Sequence, residues 1–311
     1  MNQFSISPVA EVTAVVVTYQ PDPARLGALL KAVAPQVERV VVVDNGSVRD
    51  VASAMAALCS CAVHVIPLRE NRGIAAAHNA GIAWARAQGA KYVLLMDQDS
   101  EPDAGMVAAL TTAHEDLVAA GNRVAAIGPR SRDRQTGRLA SHVRFGIVRF
   151  VPVECPSGQL VVATDLLISS GSLISLATFD AVGEMDEQLF IDQVDTEWVL
   201  RARAKGYLAW GHCAATMAHS LGEWRRRVWL GRWREIPLHK PFRYYFMIRN
   251  SVLLQRRDYP CCAWRRLDTI RLLQITVFVM LFHPQRLLAL GKMLQGLRDG
   301  IWMRSSKQRT P

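Results

Sequence analysis

The sequence predicts an α/β protein with a mostly parallel central sheet, helices on both of its faces, and a basic, helical C-terminal region. Three observations predict it. Short β-branched apolar runs alternate with segments of helical periodicity over residues 12–99, the pattern of βαβ units. Those runs are apolar at consecutive positions, as expected where both faces of a strand are buried. The charge changes sign near Leu221. Residues 1–220 hold 18 Lys and Arg against 22 Asp and Glu, a net of −4, whereas residues 221–311 hold 19 against 5, a net of +14.

The first run, Val12 to Thr18, reads as a buried strand, and Leu26, Leu29, Leu30 and Val33 share one face of the helix after it. A second strand, Val40 to Val43, runs into Asp44-Asn45-Gly46-Ser47. A further helix and a strand from Ala62 to Ile66 come next. Asn71-Arg72-Gly73 then opens an Ala-rich helix, about Ile74 to Gln88, and the strand Tyr92 to Met96 ends at Asp97-Gln98-Asp99. Residues 125–220 are less regular. They include strand-like Leu160 to Ile168, a small-residue turn Ser169 to Ser172, strand-like Leu173 to Leu176, and an acidic stretch leading into a helix that ends before Gly206.

A chain of 311 residues, 50% of them hydrophobic, can bury a sizeable core, and 21% charge is too low for a disordered protein. The six cysteines, Cys59, Cys61, Cys155, Cys213, Cys261 and Cys262, include no pair with the spacing of a zinc knuckle or redox motif. They are expected to be small buried residues in a reducing cytosol. The opening MNQFSISPVAEV has neither a basic nor an apolar segment of the secretory kind, so no signal peptide is expected.

Ligands of parallel sheets bind beyond the carboxyl ends of the strands, and here those ends carry Thr18-Tyr19, Asp44-Asn45 and Asp97-Gln98-Asp99. Two carboxylates one residue apart can share a Mg²⁺ or Mn²⁺ ion with a diphosphate. An isolated Asp-x-Asp would more often be a solvated turn, and its alignment with the other polar strand ends favours the metal. Asp44 can accept the ring N–H of a pyrimidine or close an Asx turn. Asn71-Arg72-Gly73 would present free N–H groups, the positive end of a helix dipole and a guanidinium to a diphosphate. In Asp192-Gln193-Val194-Asp195-Thr196-Glu197, a helix starting near Thr196 would place Asp195 at its N-cap and Asp192 in the preceding loop. Either carboxylate can act as a general base, and Asp195 could equally be only a cap. Glu197 is expected to support the helix N-terminus or to pair with Arg201 at i+4. His219 is a third candidate for the metal or the diphosphate.

Read in order, VVVTYQPD, VVVDNGS, NRGIAAAHNAG, LLMDQDS and FIDQVDTEWVLRARAKGY resemble the motifs of family 2 glycosyltransferases with a GT-A fold, over about residues 12–222. DQDS, LLISSG, LFIDQVDTEW and RYYFMIRN resemble, more narrowly, bacterial rhamnosyltransferases of O-antigen and rhamnolipid assembly. The resemblance implies an inverting, metal-assisted transfer of L-rhamnose from dTDP-L-rhamnose to a lipid-linked saccharide or glycolipid. It implies that Thr18, Tyr19, Asp44, Asn45, Asn71, Arg72, Gly73, Asp97 and Gln98 lie along the donor and that Asp97 and Asp99 hold ribose and metal. Members of that family carry the base in a Glu-Asp pair six residues before a helix arginine. Counting back from Arg201 gives Asp195, with Val194 in place of the Glu, which leaves Asp192 as an alternative base. The catalytic domain is expected to cover residues 1–222, with a donor half to about residue 100 and an acceptor half from there.

The remaining residues, 223–311, interleave Arg with Trp and Tyr as far as Tyr245 and contain an apolar run, Leu272 to Phe282, too short to cross a bilayer. Either an anionic membrane or RNA could supply the counter-charge. Peripheral attachment to the cytoplasmic face of the inner membrane is the favoured reading, with no nucleic acid expected. A nucleotidyltransferase would need a Gly-rich basic loop where the chain has VVVTYQPDPARLG, and a serine hydrolase would need a G-x-S-x-G elbow, which is absent from the sequence.

Overall fold

The computed structural model describes residues 8–53, 63–219, 224–229 and 233–303, and only the backbone of residues 224–229 and 233–237. Cys59, Cys61, the start of the strand expected at Ala62 and the domain end expected near Leu221 lie outside the described residues. So do most of the helix expected before that strand and the side chains from Trp224 to Arg234.

Strands β1 (Val9–Thr18), β2 (Val37–Asp44), β3 (Val63–Pro67) and β4 (Tyr92–Asp97) are parallel and lie in the order β3-β2-β1-β4. Both faces of β1 are buried, which is why its apolar residues run consecutively. Val12, Ala14 and Val16 pack with α1 (Pro23–Val33) and α3 (Met106–Ala119), whereas Val15 and Val17 pack with α2 (Ile74–Ala87) and α5 (Val194–Ala204). Helix α2 sits so close to β1 that a Cβ on Gly81 would come within 2.2 Å of Val15 Cγ1.

Beyond β4 the sheet is mixed, as a parallel ladder alone does not describe it. β10 (Leu173–Ser175), which leads into the short helix α4 (Leu176–Val182), runs antiparallel between β4 and β6 (Val124–Asp133), and β11 (Leu208–His219) is parallel to β6. β5 (Glu101–Pro102) and β9 (Val161–Thr164) pair antiparallel with β11, completing nine strands among the described residues. Strand β9 is shorter than the strand expected over Leu160 to Ile168. β7 (His142–Phe145) and β8 (Phe150–Val153) form a separate hairpin.

The basic region is not helical throughout. It opens with a hairpin, β12 (Trp224–Trp229) with β13 (Trp233–Leu238), in which aromatic and Arg residues suit strands as well as helices. Helices α6 (Pro241–Gln255), α7 (Cys262–Phe282) and α8 (Arg286–Trp302) follow. Among the described residues, no helix is long and apolar enough to cross a membrane. The cysteines also differ from expectation. The return of the chain along β11 brings Cys213 beside Cys155, 5.7 Å between Cα atoms, in a disulfide, and Cys262 is exposed.

A buried ionic network fixes α5 against the C-terminal helices. Arg201 donates from Nε and Nη2 to the two Glu197 oxygens at 2.8 and 2.9 Å, as the i,i+4 spacing predicts, and also to the carbonyls of Val182 and Glu184. Arg257 lies 3.1 Å from the same carboxylate and also pairs with Asp186, while Tyr259 donates its hydroxyl to Glu197. Glu197 is fully buried. Glu197→Ala would strand two guanidinium groups in the interior, and a loss of about 3–5 kcal/mol is expected, read from the urea unfolding midpoint. A loss below about 1 kcal/mol, the size of a surface pair, would mean that the network does not hold α5 in place.

Candidate active site

Sheet register brings the polar strand ends together. Thr18 is opposite Asp44, and Val17 is opposite Asp97, so residues distant in sequence leave adjacent parallel strands at one level. Asp44 closes the Asx turn, accepting from Ser47 N at 3.3 and 3.2 Å and from Ser47 Oγ at 2.5 Å, with Thr18 Oγ1 at 3.4 Å. Asn45 is a strut. Its Oδ1 accepts from Arg72 N at 2.9 Å and its Nδ2 donates to Asn71 Oδ1 at 3.1 Å. Tyr19, half-exposed, donates its amide to Gln98 Oε1 at 2.7 Å. Thr18, Tyr19, Asp44, Asn45, Asn71, Arg72, Asp97 and Gln98, expected along the donor, are thus brought together at neighbouring strand ends and the loop before α2.

Gly73 differs from expectation in what approaches it. Its φ of +87° suits glycine, and an added Cβ would meet Phe190 O at 2.5 Å. The first amide of α2, Ile74 N, donates to that carbonyl at 2.6 Å. The close approach is therefore made by the chain's own Phe190 loop, and one of the N–H groups expected to be free is taken. The Arg72 guanidinium is half-exposed, 3.8 Å from Glu187.

Asp97, Asp99 and His219 form a half-buried cluster whose ligand atoms all lie within 4.8 Å of one another. His219, at the end of β11, places Nδ1 3.8 Å from Asp99 Oδ1 and 2.8 Å from Ser100 Oγ. Ser100 Oγ is 2.7 Å from Ser170 Oγ, which accepts from Asp97 N at 3.1 Å. The small-residue turn at 169–172 is thus the back wall of the cluster. Burial pushes the Asp97 carboxyl up to about 6, with the Asp99 and Asp195 charges adding to it and His219 and Arg243 opposing. Two hard carboxylate oxygens and an imidazole fit a divalent cation of the Mg²⁺ or Mn²⁺ kind.

The acidic loop resolves the two remaining carboxylates. Helix α5 begins at Val194, so Asp195 lies in its first turn and Gln193 is the N-cap, where Asp195 was expected. The reason is backbone geometry, since Phe190, Asp192 and Gln193 all have φ near +60° and the chain turns into the helix two residues earlier. Asp195 accepts from Thr196 N at 2.7 Å and from the Ser169 amide. Burial nevertheless raises its pKa, and the nearby Asp192 charge adds to the rise. The Asp192 carboxylate is gripped by Arg243, which donates to it from Nε and Nη2 at distances of 2.9–3.2 Å.

Arg243 stands in α6, as do Arg249 and Asn250. Arg249 donates to the carbonyls of Gln188 at 2.8 Å and Leu189 at 3.0 Å, and Asn250 Nδ2 reaches those of Leu189, Ile191 and Asp192 at 2.7–2.8 Å. Sequence reasoning counted Arg243 among the basic residues that suit a lipid headgroup layer and gave none of the three a part in the site, although RYYFMIRN contained all of them. Arg243 and Asn250 are seven residues apart, two helical turns, and so share a face. A cavity of about 290 Å³ opens beside Asp192 and Thr196, walled by Phe150, Leu166, Met247 and Trp264, with Asp268 and Arg271 of α7. A second, of about 410 Å³, lies beyond β1 and β2, between Gln20–Leu26 and Arg49–Val51.

The glycosyl transferase family 2 model matches residues 13–161. The chain is 31% identical to the dTDP-rhamnosyl transferase RfbF of Shigella flexneri over 295 residues, 94% of this chain and 96% of that protein. Its fold is similar to that of S. aureus TarS 1–349 in complex with UDP-GlcNAc, with a TM-score of 0.57 and 16% identity over 92% of this chain and 81% of that one. It is likewise similar to GalNAc-T7 with UDP, GalNAc and Mn²⁺, with a TM-score of 0.58 and 12% identity over 91% of this chain and 59% of that one. At such identities the solved structures speak for the GT-A architecture alone. Because the curated relative matches over nearly the whole of both chains, this chain belongs to glycosyl transferase family 2 and is a glycosyltransferase.

Proposed function

We propose that the chain transfers L-rhamnose from dTDP-L-rhamnose, with inversion, to a hydroxyl of a lipid-linked saccharide or glycolipid at the cytoplasmic face of the inner membrane. The observation that carries the donor assignment is the near full-length identity to a dTDP-rhamnosyl transferase. Asp44 and Thr18 take the nucleobase side of the crevice, and Asn71 and Arg72 border the diphosphate. Asp97, Asp99 and His219 would hold Mg²⁺ or Mn²⁺, which when bound offsets charge on the departing nucleoside diphosphate.

Asp195 is the base. Its carboxylate takes the proton of the acceptor hydroxyl as that oxygen attacks the anomeric carbon. The bond from this carbon to the diphosphate oxygen breaks, and dTDP leaves with the electron pair. Attack opposite to the leaving group turns a β-L-linked donor into an α-L-rhamnoside. Two facts favour Asp195 over Asp192: its pKa is raised towards the useful range, and Asp192 is committed to Arg243. The cavity beside Thr196 is the place for the acceptor, with Phe150 offering a ring face to a sugar and Asp192 accepting its hydroxyls.

A panel of dTDP- and UDP-sugars with Mg²⁺ or Mn²⁺ tests the donor and the metal. Turnover of dTDP-L-rhamnose is expected, dependent on the cation and lost in Asp99→Ala, while turnover of another sugar alone would remove the rhamnose assignment. Asp195→Asn is expected to lower kcat by about 10²–10⁴-fold with donor affinity kept, and Asp192→Asn by less; the reverse order would make Asp192 the base. A base works deprotonated, so a raised pKa moves the acid limb of kcat/KM up in pH. Turnover should therefore fall on acidification above the ordinary carboxylate range, and cation affinity should weaken below about pH 6 as Asp97 takes a proton.

A further inference from the structure

Helix α8 carries two apolar faces, and only one of them is packed. Ala289, Met293, Gly296 and Gly300 face α6, so closely that Cβ atoms on the two glycines would come within 2.4 Å of Tyr245 O and 2.8 Å of Val252 Cβ. The other side carries Leu287, Leu294, Leu297 and Ile301, all exposed, with Leu287 at 80% and the terminal Trp302 at 81%. Helix α7 continues the pattern with exposed Leu273, Val277, Met280 and Leu281, spaced at one and two turns. These two helices hold 10 of the 21 large apolar side chains exposed among the described residues. Single exposed apolar residues are ordinary, whereas such concentration on adjacent helices marks an interaction surface.

The charges around the stripe say what covers it. Arg286 and Arg298 are exposed beside it, and residues 262–311 contain nine Lys and Arg against two Asp and Glu. Of those two acids, Asp268 is buried and paired with Arg271, and Asp299 is paired with Arg298. An apolar helical face with a basic rim and a terminal tryptophan matches the headgroup layer of an anionic bilayer, with the helices lying along it. We propose that the outer faces of α7 and α8 form the membrane-docking surface of this protein and that its occupant is an anionic phospholipid bilayer.

The docking surface rests on the lipid-linked acceptor proposed above and gives it a route. The first half of α7 walls the cavity beside Asp192 and Thr196 through Trp264, Asp268 and Arg271. At 1.5 Å per residue, Leu281 is only about 15 Å along the same helix from Arg271. One helix therefore joins the lipid surface to the acceptor side of the base, and a glycolipid can enter the cavity with its chains still in the bilayer.

The test is co-sedimentation of the full chain with vesicles of phosphatidylcholine alone and of phosphatidylcholine mixed with phosphatidylglycerol. A triple variant, Leu287→Glu with Leu294→Glu and Ile301→Glu, is run beside it, and hydrolysis of dTDP-L-rhamnose is measured in solution for both. Binding to the anionic vesicles, weakened at least about tenfold in the variant with hydrolysis unchanged, is the expected result. Equal binding by both proteins, or no binding with concentration-dependent self-association, overturns the proposal, and the second outcome makes the face an interface between copies. Trp302→Phe serves as the check should the triple variant not fold. Brominated lipid should quench fluorescence that is missing in Trp302→Phe, and quenching identical in the two proteins also overturns the proposal. Vesicle binding without hydrolysis of any nucleotide sugar would refute the transfer reading and leave the docking surface standing.

Discussion

The grip of α6 on the loop at 188–193 is the constraint on which the rest of the site depends. Left-handed backbone at three non-glycine residues costs on the order of 1–3 kcal/mol each, and a loop of that kind does not persist alone. Here Phe190, Asp192 and Gln193 are held by Arg249 and Asn250, whose buried side chains satisfy the carbonyls of Gln188, Leu189, Ile191 and Asp192. Three consequences follow from one loop. Phe190 O caps α2 behind Gly73, Asp192 meets Arg243, and α5 starts early enough to turn Asp195 towards Asp97. The Glu197 network secures the first turns of that helix.

Clustering carboxylates at the mouth of a sheet opposes folding, because each is desolvated and each repels the others. Burial, with the charges of Asp99 and Asp195, pushes Asp97 up, and burial with the charge of Asp192 pushes Asp195 up. The chain offsets part of the repulsion with groups that do not neutralise the site: His219, the guanidinium of Arg243, and the amides of Thr196 and Ser169. What remains is an unbalanced negative site that a divalent cation would relieve. The same arrangement that opposes folding would favour the divalent cation proposed for Asp97, Asp99 and His219.

Much of this was legible in the sequence, for physical reasons. A strand buried on both faces has to be apolar throughout, so β1, β2 and β4 announced themselves and their polar ends marked the crevice. The i,i+4 pair Glu197–Arg201 followed from helix geometry. Other features depended on contacts across long separations, which no local pattern carries. Gly73 faces Phe190, more than a hundred residues away, and not a ligand, and the start of α5 depends on left-handed residues that are not glycine. The hairpin of β12 and β13 was hidden because Trp, Arg and Val serve strands as readily as helices. The pairing of Cys155 with Cys213 depends on where β11 returns.

The abrupt change of charge near Leu221 suggested an appendage, yet the residues beyond it complete the catalytic crevice. Arg243, Arg249, Asn250 and Arg257 come from the basic region, and each ends on a group of the loop or helix that carries Asp192, Asp195 and Glu197. Excess positive charge there has two separable origins. The arginines pointing inward answer carboxylates and carbonyls of the α/β domain and are buried or half-buried, whereas Arg286 and Arg298 are exposed beside an apolar stripe. A composition count adds the two together. Only the burial of each guanidinium shows which arginines hold the site together and which are left to meet a surface, and α6 and α8, locked through Gly296 and Gly300, keep both sets in one rigid piece.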